Sequence, residues 1–280
     1  MAGMNLILQG KTISPDTLDR IAGLAKAGGT ERISENAFRL RHASFDEGVF
    51  ALCEAAMLDC AYVPEHARLS DFGLVVMDMD STLITIECID EIADMQGIKP
   101  QVAAITESAM RGEIDFSESL RKRVALLSGL DESALSRVYE ERLKLSPGAE
   151  TLLHKLKSLG IKTLLVSGGF TFFTERLQTR LGLDFTASNT LEIVDGKLTG
   201  RVLGEIVDAS GKAYWLNRMR ETLYLPRDAV IAIGDGANDL KMLGEAGTSI
   251  AYHAKPVVRE KATYALNFAG LDGLLNLFPD

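Results

Sequence analysis

Two acids, Asp78 and Asp80, stand two residues apart in the segment FGLVVMDMDST, directly after a hydrophobic run. A carboxylate placed there can attack phosphorus to give an acyl phosphate, which divides one hard hydrolysis into two easier steps. A second carboxyl at i+2 can protonate the departing alkoxide and later deprotonate water. Phosphate monoesters hydrolyse extremely slowly unaided, so both kinds of help have a use. A calcium loop of the EF-hand type is excluded, because the position that needs glycine is Leu83 and the twelfth position is Ile89.

Three other groups bear on the same chemistry. Ser167-Gly168-Gly169 ends a second hydrophobic run, and a hydroxyl with free N–H groups at a helix N-terminus makes an anion site. Alone this is weak, since Ser-Gly-Gly is more often a plain turn. Lys212 reads either as a solvated surface lysine or as a fixed cation that holds phosphoryl oxygens and screens Asp78. In GDGAND, residues 234–239, the acids need no role beyond capping a helix. Read as a metal site, Asp235 supplies a hard oxygen ligand beside Asp78, suited to Mg²⁺ with several retained waters. Such an ion offsets repulsion between nucleophile and anionic substrate and polarises a phosphoryl oxygen.

These groups meet only if the chain positions them. From Phe72 onward, strand-like and helical stretches alternate, which predicts a parallel sheet covered on both faces. Ligands of such sheets bind at the carboxyl ends of the strands. Asp78/Asp80, Ser167–Gly169 and Asp235 each follow a strand-like run, so they are expected at one edge. The charge-rich helical stretch 87–143 interrupts the alternation as an inserted cap, and Asp195-Gly196 marks a hairpin. Residues 1–68 read as a small α+β domain, with 69–280 as the catalytic domain. In the small domain, residues 4–8 are strand-like and Ser14-Pro15 opens a helix to about Ala27. Ala37–His42 is a further strand, Phe45–Leu58 an amphipathic helix, and Pro64–Ser70 a linker.

Composition narrows the function. Across 280 residues the formal net charge is −9, which argues against nucleic acid as the partner. It also requires positive charge to be concentrated wherever a phosphate ester binds. No apolar run approaches the ~18 residues that span a bilayer, and the N-terminus lacks a secretory signal, so a cytoplasmic address is expected. Cys53, Cys60 and Cys88 show neither a disulfide framework nor zinc spacing.

DMDST, VSGG, Lys212 and GDGAND, in this order, resemble the four motifs of the haloacid-dehalogenase superfamily of phosphatases. IECIDEIA, AMRGEIDFSESLRKRV at 109–124 and YHAKP at 252–256 are similar to the bacterial phosphoserine phosphatase family within it. The resemblance implies an α/β fold with a Rossmann-like parallel sheet, an inserted helical cap and a small N-terminal domain. It implies Mg²⁺ as cofactor and phosphoserine as substrate, in the last step of serine biosynthesis. Asp78 is then the nucleophile and a metal ligand. Asp80 is the general acid/base and a second ligand through its main-chain carbonyl, and Asp235 is the third ligand. Ser167, Gly168 and Lys212 would hold the phosphoryl group, with Asn238 beside it. In the cap, Glu87 would face the substrate ammonium and Arg123 its carboxylate, while Met110 and Phe116 close the pocket. An amino-acid zwitterion needs one fixed anion and one fixed cation, and arginine grips a carboxylate with two parallel hydrogen bonds.

The N-terminal residues weakly resemble ACT-like modules, which leaves spacer, homodimer interface and serine sensor open. Two alternatives stand beside hydrolysis of phosphoserine. One is another phosphomonoesterase, or a transferase passing the phosphoryl group to homoserine. The other is a non-catalytic amino-acid sensor, which every filled catalytic position argues against.

Overall fold

The computed structural model describes residues 3–280. The first sheet comes from β1 (Met4–Gly10), β2 (Gly29–Ser34), β3 (Ala37–Arg41) and β4 (Leu58–Pro64), with α1 (Pro15–Leu24) and α2 (Glu47–Ala55) between strands. Its order is β2-β3-β1-β4, all antiparallel, which is the split β-α-β arrangement. Helix α1 starts where the sequence places it: Ser14 Oγ accepts from Thr17 N, and Pro15 follows. It ends at Leu24, short of the expected Ala27. The sequence reading gives β2 no bounds and does not anticipate β4. GTERIS is too polar to stand out, and LDCAYVP directly follows the apolar residues of α2, so a helix expected to reach Leu58 hid the strand's start.

Strand β1 shows how this sheet joins the rest of the molecule. Leu6 and Leu8 pack with Ile21, Leu40, Val49 and Cys53 in the small module's own core. Ile7 points the other way, as alternate strand residues must, and enters the large core with Ala61, Val63, Leu69 and Phe72. Leu69 N also donates to Pro279 O at 2.9 Å, tying the connecting segment to the C-terminus.

The second sheet is built from β5 (Leu74–Met77), β6 (Lys162–Phe170), β7 (Phe185–Val194), β8 (Lys197–Leu203), β9 (Val230–Gly234), β10 (Thr248–Tyr252) and β11 (Tyr264–Leu266). Its order is β11-β10-β9-β5-β6-β7-β8, and neighbours are parallel from β11 through β7. Strand β8 returns antiparallel through Asp195-Gly196, whose φ values of 50° and 72° are those a tight hairpin requires. Val75 and Met77 face one core and Leu74 and Val76 the other, so β5 is buried on both sides.

Helices α3 (Cys88–Met95), α4 (Lys99–Met110), α5 (Phe116–Ala125) and α6 (Ser133–Arg137) form the cap. The remaining helices are α7 (Ala149–Ser158), α8 (Thr171–Leu181), α9 (Ala209–Thr222), α10 (Leu240–Glu245), α11 (Pro256–Arg259) and α12 (Gly273–Leu277). Strand β11 and helix α12 are further elements the sequence reading does not contain. Among the described residues, no helix is long and apolar enough to cross a membrane.

Candidate active site

Strand β5 pairs with β6 on one side and β9 on the other, which sets three strand ends next to each other. Asp78, Ser167–Gly169 and Asp235 therefore meet, although they lie far apart in sequence. The residues to which the family resemblance gives roles line one cavity of about 510 Å³: Asp78, Asp80, Ser167, Gly168, Lys212, Asp235 and Asn238 on the sheet side, and Glu87, Met110, Phe116 and Arg123 on the cap side.

Asp78 is 4% exposed and lies immediately after β5. Its Oδ1 accepts from Met79 N at 2.7 Å and pairs with Lys212 Nζ at 2.7 Å. Burial and the neighbouring Asp239 push its carboxyl well above the usual range, against the pull of Lys212. The chain then makes one wide turn, Leu83 N to Asp78 O and Ile84 N to Met79 O. Ser81 adopts a left-handed conformation in that turn, with φ 57°. The turn swings Asp80 away from Asp78: its carboxylate accepts from Cys88 N at 2.8 Å and Ser167 Oγ at 3.3 Å. Burial raises the Asp80 carboxyl, against these donors and Lys212, so its surroundings favour the protonated form more than water does.

Lys212 is 1% exposed, so it is not a surface side chain. Helix α9 begins at Ala209, with Asp208 capping the amides of Ser210 and Gly211, and this sets Lys212 inside the first turn. Its Nζ lies between Asp78 Oδ1 and Asp239 Oδ1, 2.7 Å from each. Burial pulls its pKa down, but the charges of Asp239 and Asp78 more than offset this and hold the ammonium protonated. Removing one partner from such a buried pair costs about 3–5 kcal/mol.

Asp239, the last residue of GDGAND, also belongs to this cluster, with no task given to it by the sequence. It is fully buried; Oδ1 takes Lys212, and Oδ2 takes Asp235 N at 3.1 Å and Gly236 N at 3.0 Å. It fits beneath the end of β9 only because residue 234 is glycine: a Cβ there would lie 2.6 Å from Asp239 Cγ. Thr82, also fully buried, donates to Asp235 Oδ1 at 3.0 Å and so aims the third acid. The only legible signal for either residue is its place inside DMDST or GDGAND.

Asp78, Asp235 and Asp239 bring one carboxylate oxygen each within 4.8 Å of one another. The donors are not equivalent. Both oxygens of Asp239 are occupied, whereas Oδ2 of Asp78 and Oδ2 of Asp235 accept no hydrogen bond among the described residues. Burial and Asp239 push the Asp235 carboxyl up to about 6. A cluster of hard oxygen donors crowded by like charge is a fit for a divalent cation.

The cap side carries separate charges. Glu87 lies at the open rim and accepts from Ser81 Oγ at 2.8 Å. The enclosing walls, and then the charge of Asp80, push its carboxyl up to about 7. Arg123 Nε makes a long contact, 3.4 Å, to Ser119 O and no ion pair among the described residues, so its guanidinium is open to the cavity. Phe116 is half-buried against Gly168, and Met110 is 73% exposed at the rim.

A family model described as haloacid dehalogenase-like hydrolase matches residues 72–247. A second, described only as a domain of unknown function, matches residues 6–49. A phosphoserine phosphatase of Polaromonas sp. is 57% identical over 215 residues, covering 75% of this chain and 91% of its own length. The crystal structure of a probable phosphoserine phosphatase from Vibrio cholerae superposes with a TM-score of 0.87 at 40% identity, over 98% of this chain and 86% of that one. A phospho-aspartyl intermediate analogue of a phosphoserine phosphatase gives a TM-score of 0.69 at 38% identity, over 74% of this chain and 99% of that one.

Proposed function

We propose that this chain, which belongs to the haloacid dehalogenase-like hydrolase family, is a phosphoserine phosphatase that converts O-phosphoserine to serine and phosphate. The observation that carries the reading is a single cavity with two chemically distinct ends. One end holds a buried carboxylate–lysine pair beside a protonatable Asp80. The other offers one open anion, Glu87, and one open cation, Arg123.

Asp78 attacks phosphorus, and the bond from phosphorus to the serine oxygen breaks as Asp80 delivers a proton to that oxygen. Asp80 then takes a proton from water, which attacks the acyl phosphate and returns Asp78 to a free carboxylate. Ser167, the Gly168 N–H and Lys212 hold the phosphoryl oxygens through both steps, with Asn238 alongside. Asp78, Asp235 and the main-chain carbonyl of Asp80 would hold Mg²⁺, which supplies charge neutralisation at the phosphoryl group. Asp239, with both oxygens committed, keeps Lys212 in place instead. Glu87 and Arg123 grip the ammonium and carboxylate of the amino acid, and Phe116 and Met110 border it.

Residues 1–68 are proposed as a docked module that serves as a homodimer interface; the exposed Phe45 and Phe50 on it support this, and light scattering tests it. The cytoplasmic address rests on the sequence reading alone.

Phosphate release from phosphoserine, phosphothreonine and sugar phosphates, with Mg²⁺ or EDTA, tests the reading. Phosphoserine should be preferred and EDTA should abolish turnover. A preference for a sugar phosphate, or release that requires homoserine as acceptor, would replace it.

A further inference from the structure

We infer that Asn189 is the positioning residue that fixes the phosphate loop relative to Lys212; the inference rests on the phosphoserine phosphatase reading. Asn189 lies on β7, is 1% exposed, and does not line the cavity. It therefore acts through other groups.

The pairing of β6 with β7 is interrupted between Val166 and Phe170, and Phe170 resumes it opposite Asn189. The skipped residues are Ser167, Gly168 and Gly169. Their backbone bulges out of the ladder, which turns Ser167 toward the cavity but deprives Gly168 of its sheet partner. Asn189 Nδ2 replaces that partner, donating to Gly168 O at 2.8 Å. The same peptide is held from its other end, since Gly169 N donates to Ser167 Oγ at 2.8 Å. Ser167 in turn donates to Asp80 Oδ2. One side-chain amide thus sets the plane of the peptide on which the serine hydroxyl depends.

The other end of Asn189 reaches a different segment. Its Oδ1 accepts from Val207 N at 2.8 Å, in a buried position. Val207 precedes Asp208, the cap of α9, and Lys212 N donates to Asp208 O at 2.8 Å. Loop and lysine arrive on different elements, and this amide ties Gly168 to the segment that leads into the lysine's helix. Gly168 packs between Phe116 and Val207, where an added Cβ would lie 2.8 Å from Phe116 Cζ and 3.5 Å from Val207 O. A shift of the loop along that gap moves the phosphoryl donors relative to Nζ, and displacements of about 1 Å are enough to cost a site roughly a hundredfold.

The test uses the full chain with Mg²⁺ and two substitutions. Asn189→Ala removes both bonds. Asn189→Asp keeps the size and the acceptor for Val207 N but loses the donor to Gly168 O, so it isolates the loop and serves if the alanine variant does not fold. Orthovanadate, which mimics the transferring phosphoryl group, and serine, which occupies the cap end, are measured as competitive inhibitors. Unlike rates, inhibition constants do not depend on the fraction of folded enzyme. In each variant the constant for vanadate should rise about tenfold or more, with serine changed less than about twofold, and kcat should fall by roughly 10- to 100-fold. A vanadate constant within twofold of wild type in folded Asn189→Asp overturns the assignment. So does a parallel rise for vanadate and serine, which is general loosening. If the wild type fails to hydrolyse phosphoserine, the functional reading falls instead, and the vanadate comparison followed with p-nitrophenyl phosphate still decides the role of Asn189.

Discussion

Asp59 and Asp78 are both buried carboxylates, 3% and 4% exposed, each near one end of a strand, yet their surroundings differ in kind. Asp59, near the start of β4, accepts hydrogen bonds only from backbone among the described residues: Asn267 N at 2.6 Å, Phe268 N at 3.1 Å and Ala269 N at 2.8 Å. Burial raises its carboxyl, and the three N–H groups pull it back. These dipoles are neutral and fixed, and they lock the N-terminal sheet to the C-terminal loop. Asp78 has one cation, Lys212, and three further acids, Asp80, Asp235 and Asp239, for company, so its environment is short of positive charge. A buried acid satisfied by dipoles holds structure. A buried acid left in like-charged company, with an oxygen free, is ready to bind a metal or to react.

The contrast can be broken most sharply at Asp78. Asp78→Asn should lower phosphoserine turnover by about 10⁴-fold or more while the thermal transition stays cooperative. Turnover near wild type in that variant would remove Asp78 from the nucleophile position. Arg123→Ala comes next, with kcat/KM for phosphoserine falling roughly a hundredfold and p-nitrophenyl phosphate changed severalfold at most, since only the first carries a carboxylate. Equal losses on both substrates would contradict the carboxylate clamp.

Asp59→Asn should do the reverse of Asp78→Asn. It leaves backbone donors underpaired and should cost about 1–3 kcal/mol in denaturant unfolding, with kcat within twofold of wild type. A large loss of kcat in the folded variant would mean that the junction and the site are not independent. The smallest effect concerns Glu87. Its carboxyl should titrate near 7 in metal-free protein by NMR, because its surroundings favour the neutral form and the group is anionic only above that pH. Mg²⁺ offsets the charges of Asp78 and Asp235, so the midpoint should fall when it is added; a rise or no change would contradict this electrostatic account.

Much of the architecture was legible in the chain. Buried parallel strands are contiguous apolar runs, so β5, β6 and β9 stood out, and polar residues at their ends named the edge where chemistry would occur. Hairpin and helix starts were readable at Asp195-Gly196 and Ser14-Pro15 because their backbone conformations favour particular residues. The bounds of β2 were not readable because its residues are polar and largely exposed, and β4 was hidden because no turn signal separates it from α2. Asp59 and Asn189 were beyond sequence reading for another reason: a single polar residue in a strand has no pattern, and its role exists only in what it touches.

What the sequence determined by itself is the inventory of reactive groups and the strand ends that carry them, since local residue types set strand, turn and hydrophobic period. Tertiary structure alone decided that Lys212 is buried between two acids, that Asp239 spends both oxygens on positioning, and that Asn189 bridges loop and helix. Those facts depend on distances between residues remote in sequence, which the packing of the sheet fixes and no local preference encodes.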